Sequence, residues 1–495
     1  SIEGQASALV TGANHTYLAT GEFGLAIVDL TSPLSPKLSG QLELSGDNHK
    51  VAVSELNQVA AVASLYWDNE SGSDQSMLHF VDIADPEHPA LIRSIKIPVQ
   101  QLLHRDGFFY ASVGHPNATQ IHLFDATTLE QVFAFAPGGI VPHMQLYKNY
   151  LFATVYTAAD TDIHIYDLNQ NEFPSLSALA VPRGASYKIP LHAEKGILYV
   201  GTPDGYQTWD IQDPLTPQLI AQDNDTAPAI RSMISNGSGL ALTLVGTGSE
   251  PKSIIAYDIN DPSLVDQEIS TLEDEAIASP IDIALHRGLL LIADEESGFV
   301  VYNFQEPDLN DAAPAITLDL SHLDVDPDAE GIQVVEASRI FFEPEIVDDG
   351  QLLESTWFLN GVAIDTDTSG HTIFDSFLPL IDESGTQVDI QVTAKDTYGH
   401  VSSSNQVTLN MIPDTLGPEL IFSMPGTGTI GYKTGSIELC FSDAIDLSSI
   451  DFNQITLTHT LSGEEIEVID VSSTNAYTIV LDLEEPLIFA EYQFV

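Results

Sequence analysis

The chain has 495 residues, 43% of them hydrophobic, with 72 acidic residues against 15 Lys plus Arg and a formal net charge of −57. A surface this negative repels nucleic acid and argues against that class of partner. No apolar run approaches the roughly 20 residues a membrane helix needs, and the single cysteine, Cys440, cannot form an internal disulfide.

From the N-terminus the chain reads as short segments of alternating apolar and polar residues separated by turns. A run closing on an acid returns along the first three fifths: AIVD at Asp29, HFVD at Asp82, HLFD at Asp125, HIYD at Asp167, QTWD at Asp210, IAYD at Asp258, and VVYN at Asn303. The intervals are 53, 43, 42, 43, 48 and 45 residues. Four strands in about 40–45 residues are the mark of a β-propeller blade, so seven copies predict seven blades over residues 1–305. In each unit an inner strand A leads to an apolar strand B, strand C closes on the acid, and a Pro-rich turn such as DLTSPLSP, DIADPEHP or DIQDPLTP leads to an outer strand D. Asp and Pro suit that turn because the carboxylate accepts nearby amides and Pro pre-sets φ. The recurring acids are therefore expected to shape the turn and not to carry chemistry. Blade seven shows no strand D, and Ser1–Ala6 is expected to supply it.

GLAIVDLTSPLSP resembles the LVIVD repeat, a propeller-forming repeat of bacterial exported and surface proteins, over roughly residues 7–305. The resemblance implies fold and carries no catalytic motif. EPDLNDAAP then reads as a linker. Residues 315–412, with DDGQLLESTWFLNG and VTAKDTYG, resemble PKD-type and related Ig-like modules, in which a strand-borne Trp lies in the core. After the linker PDTLGPEL, residues 413–495 resemble bacterial Ig-like domains of the S-layer type, on Phe441, Ser442, Asp446, Ser448 and Asp451. The chain stops at EYQFV inside a strand pattern, so it reads as part of a longer polypeptide. The fold class expected is all-β: a seven-bladed propeller followed by two Ig-like β-sandwiches, the second incomplete.

No GxSxG, HExxH, Walker or GxGxxG arrangement appears in a supporting context. His104, His192 and His286 share the last position of strand A and are expected to be exposed turn residues. The first position of strand A holds Ser7, Lys50, Gln100, His143, Lys188, Arg231 and Asp282. Three of the chain's 15 basic residues fall there, and Lys50, His143, Lys188 and Arg231 are expected to ring one mouth of the channel. A basic collar inside an acidic shell would focus an anion; the alternative is that these groups pair with neighbouring loop acids and brace the rim. The longest B–C loop, residues 65–76, carries Trp67 on the same face, either as a recognition loop or as a tolerated insertion.

Calcium is the cofactor expected, with Asp348, Asp349, Asp396 and Asp414 as candidate ligands near the domain junction, because Ca²⁺ takes six to eight oxygens. The alternative is ordinary solvated acids. The functional expectation is a non-catalytic extracellular or cell-surface bacterial protein. Its propeller would recognise a protein or glycan, its Ig-like domains would act as spacers, and other domains of the same larger chain would be partners. Two other readings stand beside it: a structural segment of a very large secreted toxin or adhesin, and a polysaccharide-acting enzyme whose paired carboxylates nothing in the sequence singles out.

Overall fold

The computed structural model describes residues 2–32, 35–68, 73–105, 107–115, 118–157, 160–168, 173–181, 189–202, 205–222, 228–237, 239–246, 253–265, 267–274, 276–304, 311–348, 352–368 and 372–415. Beyond these it describes 420–424, 434–441, 445, 447, 455, 457–459, 465–475, 478–487 and 492–494. The protein is all-β, with propeller-like blade sheets. Between Ala8 and Asn303 the described strands form, besides one two-stranded hairpin, seven successive antiparallel sheets, six of four strands and one of three. The first is Ala8–Thr11, His15–Ala19, Leu25–Asp29 and Lys37–Leu42, paired in that order. The other four-stranded sheets repeat this order from inside to outside.

Strand B is buried along nearly its whole length, and strand C mostly so except in the seventh sheet, where Gly298–Asn303 is largely half-buried, because each sheet is covered on both faces by its neighbours. Phe80 of the second sheet meets Phe109 and Phe124 of the third at ring-centroid distances of 5.8 Å. Similar apolar layers lie between every adjacent pair. The seventh sheet packs back on the first through Leu289, Leu291 and Ala293 against Leu9, Leu18 and Val28. The first strand of each sheet lies beside the first strand of the next, and Pro280–His286 returns to Ala8–Thr11.

In five sheets the acid closing strand C, at Asp29, Asp82, Asp125, Asp210 and Asp258, shapes the following turn as its chemistry predicts. Asp29 Oδ1 accepts the Thr31 amide at 2.7 Å, Asp82 the Ala84 amide at 2.9 Å, Asp210 the Gln212 amide at 2.9 Å and Asp258 the Asn260 amide at 3.0 Å. The Pro-rich turns also fasten neighbouring sheets, a contact the repeat pattern does not announce. Thr208 Oγ1 donates to the Pro262 carbonyl at 2.6 Å and Ser177 Oγ to the Pro214 carbonyl at 2.7 Å. At the equivalent place Gly40 has no room for a side chain, since a Cβ would stand 2.5 Å from the Pro86 carbonyl.

The N-terminal segment does not complete the seventh sheet. Among the described residues Gly298–Asn303 is that sheet's outermost strand. Ala6 N donates to Asp294 O at 3.2 Å, and Ile2 and Gly4 lie beside Gly298. In the first sheet the equivalent Gly24 lies beside Leu42 and Leu44, where strand D ends and the chain crosses to the next sheet. Residues 2–6 thus take the place of that crossing and fall short of the strand before it.

A second body follows. Its main sheet runs Ile332–Val335, Val407–Ile412, Gln387–Asp396, Leu352–Leu359 and Val362–Asp367, and the first pair is parallel. Gln387–Asp396 alternates without a break, its even-numbered residues Val388 to Asp396 buried. Two short ribbons cover this sheet, and Trp357, 1% exposed, packs between Phe342 and Phe374 at 5.2 and 5.1 Å. In the last part of the chain, Leu457 of a three-stranded sheet shares one core with Ile437, Leu439, Ile479 and Leu481 of a four-stranded sheet.

Candidate functional site

Each inner strand has two ends, and they face different surroundings. At the first-residue end the sequence expected a basic collar. Lys50 and His143 are half-buried there and both have bonding partners. Arg231 is half-buried and its Nη1 donates to the Pro280 carbonyl of the next inner strand at 3.4 Å. Asp282 accepts the Leu9 amide across the closure of the seventh and first sheets at 3.3 Å. His49 Nε2 meets the Val99 carbonyl at 3.1 Å. Side chains at this rim therefore bridge sideways from one sheet to the next. Lys188 lies outside the described residues. The loop expected at residues 65–76 contains a small hairpin in which Trp67–Asp68 pairs with Ser73–Asp74; the Trp67 side chain lies outside the described residues.

The other end of the inner strands is covered by the second body. The ribbon of Arg339–Phe342 and Phe374–Phe377 sits against it, with Phe341 directly opposite Asp375. A strand presents alternate residues to opposite faces. Ile340, Phe342 and Phe374 accordingly enter the core around Trp357, while Arg339, Phe341 and Asp375 turn to the propeller. Arg339 grips Asp375 with two bonds of 2.7 Å, and Arg105, at the end of the third sheet's inner strand, donates to the same carboxylate. The three side chains are 14, 21 and 13% exposed for Arg339, Asp375 and Arg105.

Tyr147 is the second anchor. It is 3% exposed, donates to Glu343 Oε2 of the second body at 2.7 Å and accepts the Gly196 amide at 2.7 Å. Its ring meets Phe341 edge-on at 5.4 Å, and Lys148 Nζ lies 5.5 and 5.7 Å from the two ring centres, within cation–π range. Burial raises the Glu343 carboxyl above its ordinary range. On a third side the Arg287 amide donates to Thr368 O at 2.9 Å, and His286 Nδ1 lies 3.2 Å from Thr368 Oγ1.

His104, His192 and His286 are consequently not exposed turn residues. His286 is 0% and His192 9% exposed, and the His104 ring packs on Phe109 at 5.0 Å. Burial holds His104 and His286 down at about 4. Nor do they share one position: Arg105, Glu194 and His286 pair with the first residue of strand B, while His104 stands one residue and His192 two residues earlier.

Between the inner strands and this cover lies a cavity of about 460 Å³. Its walls come from the ends of the inner strands of the first, third, fourth, fifth, sixth and seventh sheets, and Phe341, Ile373 and Asp375 of the second body form its floor. Ser235 Oγ donates to the buried Glu194, whose Oε2 is 3.9 Å from His192 Nε2. The carboxylate thus takes the serine hydroxyl directly.

The acids expected to hold calcium are placed as follows. Asp396 is 0% exposed; its Oδ1 accepts the Tyr398 and His400 amides, both at 2.8 Å, and its Oδ2 meets His400 Nδ1 at 2.7 Å. Asp414 is half-buried, its amide donating to Glu336 at 3.3 Å. Asp348 is half-buried with a partner, and Asp349 lies outside the described residues. Among the described residues no three His, Cys, Asp or Glu side chains converge as a metal ion requires.

No protein-family model matches the chain, and no curated protein matches it. Solved structures do. The hydrazine synthase of Kuenenia stuttgartiensis is similar at 12% identity and a TM-score of 0.48, over 61% of this chain and 99% of that one. The β-propeller domain of Myceliophteria thermophila Cps50 (Swd1) is similar at 13% identity and a TM-score of 0.46, over 61% and 98%. The computationally designed protein Ika8 is similar at 12% identity and a TM-score of 0.41, over 61% and 98%. No helix among the described residues is long and apolar enough to cross a membrane.

Proposed function

We propose that this chain is a non-catalytic recognition protein of the bacterial cell exterior. In this reading residues 1–305 are a closed seven-bladed propeller of the LVIVD-like kind, and two Ig-like modules follow. The propeller binds a protein or glycan on the face carrying the first residues of the inner strands and the 65–76 loop. The observation that supports it is the clamp of Arg105 and Arg339 on Asp375. That clamp and the Tyr147–Glu343 bond occupy the opposite face, so the rim is the end from which a macromolecule can approach. Rigid scaffolds place recognition on such loop-bearing faces. The strong negative charge suits a saline exterior, where salt screens self-repulsion.

The test is binding of the full chain to a glycan array and to surface extracts, repeated with Lys50→Ala and Arg231→Ala. Selective binding that both substitutions weaken supports the reading. Binding to neither sets it aside in favour of a purely structural segment, and turnover of a polysaccharide sets it aside in favour of an enzyme.

A further inference from the structure

The cavity at the covered end of the channel is a separate matter from the rim. At about 460 Å³ it falls within the roughly 300–1,000 Å³ typical of small-molecule sites. One layer of the inner strands builds much of its wall. Leu103, Gln145, His192, Ile234 and Ala284 come from the third to the seventh sheets, and each pairs with the third residue of its strand B. The apolar members Leu103, Ile234 and Ala284 stay half-buried although the second body covers this end. The charged groups at the edge are already engaged. Arg105 donates to Asp375, which Arg339 also grips, while Ser235 donates to the buried Glu194 and Tyr147 to Glu343. Lys148 lies over the rings of Tyr147 and Phe341 and is near enough to attract the Glu343 carboxylate. Nε2 of His104 and Nε2 of His192 are closed off from the cavity. An ion entering here would shed its water and find these groups committed elsewhere.

From the volume, the apolar layer and the engaged charges together, we propose that this cavity binds a neutral, largely apolar small molecule. An apolar cavity of about 150 Å³ stays dry and takes benzene, so this one has room for a body of two or three fused rings. Leu103, Ile234 and Ala284 of the wall and Phe341 and Ile373 of the floor would cover that body, and Thr11 and Gln145 in the wall leave a place for one hydroxyl group. Wall and floor belong to different bodies of the protein, so the ligand touches both. Its binding therefore strengthens the docking of one on the other.

Calorimetry on the full chain tests this, with naphthalenemethanol as the probe and naphthoate as its charged counterpart. The alcohol is expected to bind at one site per chain, at least about tenfold more tightly than the carboxylate. It is also expected to raise the melting temperature as its concentration rises. Ala284→Trp and Ile234→Trp fill the cavity from two different sheets without touching its charges, and each is expected to weaken binding of the alcohol at least about tenfold. Two variants are made so that one which folds poorly does not decide the matter. The proposal is overturned if neither compound binds, if naphthoate binds as tightly as the alcohol, or if a filled variant that melts within a few degrees of the parent binds the alcohol as the parent does.

Discussion

The two ends of the channel are built from the same seven inner strands and do different work. At the rim, polar side chains reach sideways to the neighbouring strand, as Arg231 does to Pro280 O at 3.4 Å and Asp282 to the Leu9 amide at 3.3 Å. At the covered end, side chains reach out of the propeller altogether. Asp375 is held by Arg339 and Arg105, and Tyr147 joins two sheets to Glu343. The first arrangement closes a ring; the second fixes one body on another. The difference shows that a repeat position has no fixed role, because what covers it decides whether its side chain is solvated, bridged or buried.

The comparison breaks most readily at Asp375. Its removal takes from two mostly buried guanidinium groups the carboxylate they share. Losing one partner of a fully buried pair costs about 3–5 kcal/mol, and the residual exposure here brings the expectation for Asp375→Ala to about 2–3 kcal/mol. Urea unfolding of the full chain measures it. A loss under about 0.5 kcal/mol would mean that the clamp does not hold the two bodies together. Tyr147→Phe keeps the ring on Phe341 and deletes only the hydroxyl. It is expected to cost about 1–2 kcal/mol, because the Gly196 amide and the Glu343 carboxyl lose a partner out of water.

Acid should act on the same end. His104 and His286 ordinarily titrate near 6.5 and are held near 4 by burial. The folded protein therefore resists their protonation. Their contribution is fully present above about 6.5 and is lost as pH falls from 6.5 towards 4. Glu343 acts with the opposite sign. Burial raises its carboxyl above the ordinary value, so the folded state holds that proton more tightly and stability falls as pH rises through this range. The expected profile of melting temperature against pH drops on the acid side. His104→Gln and His286→Gln should flatten the drop, and Glu343→Gln should steepen it. A profile that ignores the histidine substitutions would place the acid response elsewhere in the chain.

Most of the fold was legible because it depends on local signals: period-two alternation, an acid closing each third strand, and Pro beside Asp in the turn after it. Asp29, Asp82, Asp210 and Asp258 do in the turns what their chemistry requires. Trp357 is the core residue its setting in TWFLNG implied. The covered end was not legible. Arg105 and Asp375 are 270 residues apart, and no periodicity joins a blade to a ribbon of another body. His104, His192 and His286 were expected at one repeat position and exposed; the registers put Arg105, Glu194 and His286 at that position, with His104 one residue and His192 two residues before it, and all three histidines lie under the second body. Asp396 was expected as a calcium ligand in KDTYG, yet its turn folds back so that Tyr398 and His400 take both of its oxygens.

The smallest effect expected on stability is at the rim, and it is the one that bears most directly on function. Lys50 and Arg231 are half-buried, and the Arg231 bond to Pro280 O is long at 3.4 Å. Removing the guanidinium breaks one long bond to a neutral carbonyl, so no buried charge is stranded. Arg231→Ala and Lys50→Ala should therefore move the unfolding free energy by no more than about 0.5 kcal/mol, as ordinary surface substitutions do. If the rim is the recognition face, the same two variants should lose partner binding, and that binding should weaken with added salt if these cations meet an anionic partner. Unfolding and binding measured on one preparation separate the possibilities. A loss of stability beyond about 1 kcal/mol with binding unchanged would make the rim a brace like the covered end, and the contrast between the two ends would fail.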